Sequence, residues 1–539
     1  MQSGNWAIKV FNNCLLKIRG TTLGDPRALS DQQSTRLLFS GHRSPVDFAE
    51  FKTVIPRHTS DRIGDRPADG SNLMSENSST FDLIVIGGGP AGIVGATTAA
   101  ALGRKVALVE SHAELGGAGA NTGTVPSKTL RETALALSGM KSRNLYGVDL
   151  SLRRETTVAD FLRHEQHVKA GLNEFLSQRL KAWDTAVYRG QAVFDDPHSI
   201  RVSDGGIVGT LRGERILIAT GSGPVHPPGF PFGCREVYDS DTILKLDRLP
   251  ATMAVVGAGV IGSEYASTFA ALGAIVHLID GRDSLLPFLD GEISRTLTAA
   301  MEENGILFHW KERTRAYSQE PSGKITLTLE SGSQLSVDAV LFASGRKSNT
   351  ETLNLAKAGV AMGNRGIIPV DGNYRTNVPH IFAAGDVIGA PALASTSMQQ
   401  ARHAVRCAFD SGTASPAMRF LPTGVYTIPE VGMAGETEEA LRRAGVNYVI
   451  GRAPYGSSAR GRIIGDSGGL LKLLFRRPDM KLLGVHAIGE QATELIHIGL
   501  MALMTDSSAN IFDEACFNIP TLGSLYKVAA LEAELAVNR

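Results

Sequence analysis

The feature that most constrains this chain is a strand, glycine turn, helix and second strand that occur as a unit twice. Leu83-Ile84-Val85-Ile86 reads as a buried strand, Gly87-Gly88-Gly89-Pro90-Ala91-Gly92 as a Gly-x-Gly-x-x-Gly turn into a helix, and Val106-Ala107-Leu108-Val109 as the next strand, closed by Glu110. Met253 to Val256, then Gly257-Ala258-Gly259-Val260-Ile261-Gly262, then Val276 to Ile279 closed by Asp280 repeat the design. In such a turn the first glycine permits the bend, the second lets backbone amides approach a pyrophosphate, and the third lets helix pack on strand. The acid ending the second strand accepts ribose hydroxyls, the role expected of Glu110 and Asp280. Asp280 favours the free 2′-hydroxyl of NAD, whereas Arg282 two residues on is placed to attract the 2′-phosphate of NADP, so this pair leaves the preference open.

Size and charge agree with such an architecture. At roughly 150 residues per domain, 539 residues imply three or four domains. Lys plus Arg and Asp plus Glu both number 54, so the long-range field expected of a nucleic-acid or anionic-membrane binder is missing and neither is an expected partner. Glycine, at 59 residues, exceeds the usual share of about 7% and fits a chain of tight turns. Leu83 to Gly103 carries no charge over a length that would span a bilayer, yet its six glycines and one proline suit a strand-turn-helix unit better than a membrane span. The four cysteines, at 14, 234, 407 and 516, make no close pair, which disfavours a disulfide framework, a metal site or a redox dithiol and fits a reducing, cytoplasmic setting.

Residues 1–80 are rich in Ser, Arg, Asp and Pro without sustained periodicity and read as a poorly ordered extension. Lys9, Lys17 and Arg19 give a weak transit-peptide pattern, but Asp25 and Asp31 interrupt it, and a start at Met74 is the simpler reading. From about Phe420 the texture changes: Leu470 to Val485 reads as strands and Ala492 to Met504 and Leu522 to Val537 as amphipathic helices, a separate α+β domain. His497 and Tyr526, on those apolar helices, read as satisfied core residues.

Two nucleotide sites on one chain allow a flavin and a nicotinamide to meet at hydride-transfer distance. Four further patches suit a flavin: Ile218-Ala219-Thr220-Gly221-Ser222, Leu341-Phe342-Ala343-Ser344-Gly345-Arg346, Ile381-Phe382-Ala383-Ala384-Gly385-Asp386, and Val125-Pro126-Ser127-Lys128 before a helix. In this order, from Phe81 to Arg539, the patches resemble the pyridine nucleotide-disulfide oxidoreductases, the flavoproteins that include lipoamide dehydrogenase and glutathione reductase. The resemblance implies FAD on residues 81–228 and 348–416, NAD or NADP on 229–347, and a dimerisation domain over 417–539 that makes a homodimer or higher homo-oligomer. It assigns Gly87, Gly89, Gly92, Glu110, Gly117, Gly119, Lys128, Thr220, Gly221, Ser222, Gly385, Asp386 and Ala394 to FAD. Gly257, Gly259, Gly262, Glu264, Asp280, Arg282 and Gly345 fall to the nicotinamide nucleotide. Lys128 and Glu264 are implied to be a catalytic ion pair beside the flavin N5; the plain alternative is a salt bridge that merely joins the two nucleotide domains.

The departures from that family are as informative as the matches. Its two redox cysteines, four residues apart before Pro-Ser-Lys, fall on Gly119 and Thr124, and its His-Pro-Thr-x-x-Glu is Ile519-Pro520-Thr521-Leu522-Gly523-Ser524. Without a thiolate no disulfide can be reduced, and without a thiol no imidazole is needed. The remaining chemistry is hydride exchange, and the segments Gly281 to Asp290, Gly385 to Gly389, Gly489 to Gly499 and Phe517 to Thr521 resemble the soluble pyridine nucleotide transhydrogenases. That branch usually also has threonine at the second cysteine position. The resemblance implies hydride transfer from NADPH to NAD+ through FAD in a ping-pong cycle, with a diaphorase passing electrons to quinones, or a flavin-bound scaffold, as alternatives. Gly119, Ile519 and Ser524 depart even from this branch.

Overall fold

Each glycine-turn unit closes into the middle of its own sheet. The computed structural model describes residues 79–140, 157–205, 207–233, 236–409 and 418–537, all within one unit, Asn72–Arg539. The proposed extension and its start sites, up to residue 78, lie outside the described residues. The first strand begins at Ser79, two residues before the expected boundary, because Ser79 and Thr80 continue the ladder with Leu211 and Arg212.

Strand Ser79–Ile86 pairs in parallel with Val106–Glu110 on one side and with Ile207–Ile218 on the other. The chain therefore leaves the sheet in opposite directions from one point, which opens a crevice at the strands' carboxyl ends. Ile381–Ala383 returns, far along the sequence, to pair with Ile207–Ile218, and antiparallel strands Ser199–Asp204 and Gln191–Asp196 extend that edge. Helix Pro90–Ala101 begins with proline in its first turn, where the missing N–H has no helical partner to lose. Leu83–Gly103 thus forms strand, turn and helix as expected, and no helix among the described residues is long and apolar enough to cross a membrane.

The second sheet is all parallel, in the order Ile306–Trp310, Ile275–Asp280, Thr252–Val256, Ala339–Phe342, Val237–Asp239. An antiparallel meander, Thr314–Gln319, Ile325–Leu329 and Gln334–Val337, packs Ile325, Leu327 and Leu329 against Ile279, Val340 and Phe342 of that sheet. The third sheet, a five-stranded antiparallel one, buries one face under helices Ala492–Met504 and Leu525–Val537. The last helix starts at Leu525 rather than Leu522, after a short 3-10 turn at Leu522–Ser524.

Tyr526 is a core residue as expected: it is fully buried, its hydroxyl donating to Leu495 O at 2.9 Å and accepting from Gly499 N at 3.0 Å. His497 is not. Helix Ala492–Met504 buries Ala492, Leu495, Ile496, Gly499 and Leu500, and position 497 falls on the opposite, exposed stripe with Glu494, Met501 and Met504. A buried ion cluster fixes the second nucleotide domain to the third sheet: the fully buried Lys472 Nζ lies 2.8 Å from Asp290 Oδ1, 2.7 Å from Glu438 Oε2 and 2.9 Å from Glu292 Oε2. The three carboxylates lie close enough together to hold a cation, and the Lys472 ammonium sits among them.

Candidate nucleotide sites

The two glycine turns have nearly the same geometry. Gly87 and Gly257 sit at φ +105° and +107°, in the left-handed region that favours glycine. A Cβ on Gly92 or Gly262 would lie 1.8 Å from the carbonyl oxygen of Gly87 or Gly257 respectively, so helix and turn approach at a distance only glycine allows. The strand-end acids hold the turns from below. Gly88 N donates to Glu110 Oε2 at 2.7 Å and Ala258 N to Asp280 Oδ2 at 2.6 Å.

The first turn opens on a cavity of about 800 Å³. Of the residues assigned to FAD, Gly87, Gly89, Glu110, Gly117, Gly119, Thr220, Gly221, Ser222, Gly385, Asp386 and Ala394 line it. Gly92 lies beneath the turn instead, and Lys128 stands one helical turn beyond the lining residue Thr124. The cavity fits a dinucleotide in size and in chemistry. Thr220 Oγ1 is buried there without a partner, a polar atom left for a ligand. Ser222 Oγ donates to Asp386 Oδ2 at 3.0 Å and accepts from Arg346 Nε at 2.8 Å. Arg346 and Asn349, which donates to Thr220 O at 3.0 Å, are lining residues that sequence reasoning did not assign; Arg346 stood within a quoted patch, but only the tertiary fold sets it beside Ser222. The residues present therefore fit FAD.

Val125-Pro126-Ser127-Lys128 forms the first turn and a half of helix Thr124–Ser138 rather than a segment before it; proline is tolerated in a first turn. Lys128 Nζ reaches across to Glu264 Oε2 at 2.6 Å, from the helix after the second glycine turn. Glu264 Oε1 accepts from Tyr426 N at 2.9 Å, and Lys128 Nζ lies 5.0 Å from the Tyr426 ring centroid. One pair thus ties both nucleotide domains to the third region. Beside it Arg131 Nε donates to Thr427 O at 3.0 Å, and its guanidinium lies 3.5 Å from buried Glu430. Tyr426 and Arg131 carried no sequence signal.

At the second turn no atom of the described residues, beyond Gly259 and its chain neighbours, lies within 4 Å of where a Gly259 Cβ would be, leaving backbone open for close approach. Gly345 lies in the turn between strands Ala339–Phe342 and Arg346–Ser348. Asp280 is held bidentately by Arg282, Nε to Oδ1 at 2.8 Å and Nη2 to Oδ2 at 2.7 Å. Burial pushes the Asp280 carboxyl up, but the Arg282 guanidinium and the amides of Arg282 and Ala258 outweigh it and hold the carboxyl below its usual range. At Gly119, where the resemblance puts the first redox cysteine, a Cβ would lie 2.6 Å from Pro90 Cγ, so a side chain there requires the proline ring to shift.

Two glycine-turn dinucleotide folds joined through a Lys–Glu pair are the architecture of a protein that takes two dinucleotides on one chain. The chain belongs to the pyridine nucleotide-disulphide oxidoreductase family, matching its family model over residues 81–404 and the family's dimerisation domain over 421–530. It is 43% identical over 454 residues, 84% of this chain and 97% of the relative, to a soluble pyridine nucleotide transhydrogenase of Mycobacterium tuberculosis. A protein of the same description from Hahella chejuensis is 40% identical over 459 residues, again covering 84% of this chain and 97% of the relative. Among solved structures, the HOCl-induced flavoprotein disulfide reductase RclA from Escherichia coli superimposes with TM-score 0.76 at 28% identity, covering 84% of this chain and 99% of that one. LpdA from Mycobacterium tuberculosis gives TM-score 0.78 at 24% identity over the same shares and supports the fold.

Proposed function

We propose that the protein transfers hydride between NADPH and NAD+ through FAD, as a soluble transhydrogenase without a redox disulfide. The observation that carries the reading is the pairing of two complete dinucleotide turns with a Lys128–Glu264 bridge and no cysteine at 119 or 124. Bound FAD supplies the two-electron carrier through which hydride passes from one nicotinamide ring to another. The turn at Gly87 to Gly92 presents amides to its pyrophosphate, Glu110 accepts ribose hydroxyls, and Thr220, Ser222 and Asp386 hold polar groups farther along the cavity. Gly257 to Gly262, Asp280 and Arg282 take the nicotinamide nucleotide in the same manner, and one such turn serves both nucleotides in succession. Lys128 Nζ, oriented by Glu264 Oε2 at 2.6 Å, stands where the domains meet, to stabilise negative charge that develops on the flavin.

The domain limits 81–228 with 348–416, 229–347 and 417–539, a homodimer, and a cytoplasmic setting belong to the same proposal. Exposed Met501, Met504, Ile519, Leu531 and Leu535, each more than half accessible, favour a second copy over the last region. The test is direct: purified yellow protein should reduce a thio-NAD+ analogue with NADPH. Oxidation of NADPH only when quinone is added would replace this reading with a diaphorase.

A further inference from the structure

Helix Ala394–Phe409 carries two metal-ligand side chains on one stripe. His403 and Cys407 stand four residues apart, one helical turn, and both are half-buried. The turn from Asp371 to Arg375 brings a third donor to them: Asn373 Oδ1 lies 3.4 Å from His403 Nε2 and 3.6 Å from Cys407 Sγ. The nitrogen–oxygen approach is longer than a good hydrogen bond of about 2.7–3.2 Å, so hydrogen bonding accounts poorly for three polar atoms meeting here. A metal ion accounts for it better. In a tetrahedral zinc site with Zn–N and Zn–O of about 2.1 Å and Zn–S of about 2.3 Å, the N–O edge is about 3.4 Å and the S–O edge about 3.6 Å.

The donors are held in place by their neighbours. Asp371 Oδ1 accepts from Asn373 N and from Arg375 N, each at 2.9 Å, and Tyr374 N donates to Asp371 O at 3.0 Å. The Tyr374 ring meets the His403 ring edge-on, with centroids 5.6 Å apart. Cysteine spacing disfavours a metal site in this chain, but this set needs one cysteine only. Its other soft-metal donor is on the same helix, and Asn373 comes from 30 and 34 residues away.

We propose that His403, Cys407 and Asn373 form a site for a thiophilic divalent cation of the zinc class, with water as the fourth ligand. His403 Nε2 and Asn373 Oδ1 contribute lone pairs, and Cys407 binds as the thiolate, its proton passing to solvent. Burial pushes the Cys407 thiol up, so the cation has a proton to displace and binds more tightly as pH rises. The helix begins at Ala394, which lines the flavin cavity. A cation at its far end ties it to the turn before strand Ile381–Ala383 and stabilises the flavin domain without entering the hydride path.

Titration of the metal-stripped, FAD-loaded full chain, its thiols reduced, with cobalt(II) and then zinc(II) tests the site. Wild type should gain a thiolate-to-cobalt charge-transfer band and ligand-field bands at wavelengths beyond the flavin's absorption; zinc should displace them and magnesium should not. Cys407→Ser should abolish the thiolate band, and Cys516→Ser should leave it unchanged. His403→Ala should weaken binding by at least the about 10- to 100-fold that loss of a partner around a metal ligand costs. In unaltered protein, zinc should slow alkylation of Cys407, read by peptide mass spectrometry, and raise the thermal midpoint with its concentration. A thiolate band that survives in Cys407→Ser or is absent from wild type overturns the proposal, as does alkylation of Cys407 at one rate with and without zinc.

Discussion

Removing the Lys128 ammonium separates a positioned charge from a structural strut. In Lys128→Met, the Glu264 carboxylate loses a partner at 2.6 Å and keeps, among the described residues, Tyr426 N at 2.9 Å. Breaking a fully buried pair costs about 3–5 kcal/mol, whereas a surface pair is worth about 0–1 kcal/mol. Lys128 is 25% exposed and Glu264 7%, which places the loss between these limits, at about 1–3 kcal/mol. Most of that loss comes from leaving a buried carboxylate alone, so Lys128→Met combined with Glu264→Gln should recover much of it in a double-mutant cycle by urea denaturation. The rate responds differently. If the ammonium is held where negative charge grows during hydride uptake, stopped-flow bleaching of flavin absorbance by NADPH should slow about 100-fold in Lys128→Met and should stay slow in the double variant. A variant that loses stability yet bleaches at the wild-type rate would sink the catalytic reading and leave the pair as a link between domains.

Three other outcomes follow from the geometry. Gly262→Ala should abolish nucleotide binding at the second turn while the protein stays yellow, and Gly92→Ala should lose the flavin, because each added methyl meets a carbonyl at 1.8 Å; absorbance and equilibrium dialysis read both. Lys472→Met should destabilise the protein by about 3–5 kcal/mol and change the sign of its acid response. Burial pushes Asp290 and Glu438 up, yet Lys472 and their other hydrogen bonds hold them below their usual range, so the stabilisation they give wild type is present above pH about 4 and is lost as pH falls through their folded values. Without the cation burial dominates, and the variant should gain stability between pH 7 and pH 5; denaturation midpoints with no such gain would refute this. Gly119→Cys should cost about 1–3 kcal/mol by overpacking against Pro90, and Pro90→Ala should restore most of the loss, as thermal melts of the single and double variants would show.

Several assignments were legible because they depend on neighbours in sequence. The turns at Gly87 and Gly257 need glycine at fixed spacing and an acid at the next strand's end, and a reader of the chain meets all of them within one βαβ unit. Ile218 to Ser222 and Ile381 to Asp386 read as strand-end turns for the same reason, although nothing local shows that their strands lie side by side. His497 misled because an apolar helix looks buried all round; which stripe faces the sheet depends on where Val485 and its neighbours sit. The contacts of Arg346, Tyr426 and Lys472 were invisible for a further reason: each meets partners more than 30 residues away, and a polar side chain alone in sequence carries no mark of its partner.

The sequence by itself determined that this chain builds two dinucleotide folds and lacks the cysteines of a disulfide reductase, since both are statements about residue type at set spacing. Tertiary structure decided what those residues face. It brought Lys128 to Glu264 across 136 residues and placed Pro90 where a Gly119 side chain would stand. Spacing fixes which backbone shapes are possible, because φ and hydrogen bonding are local; only packing brings charges as distant in sequence as Lys128 and Glu264 within about 3 Å, where their interaction is strong.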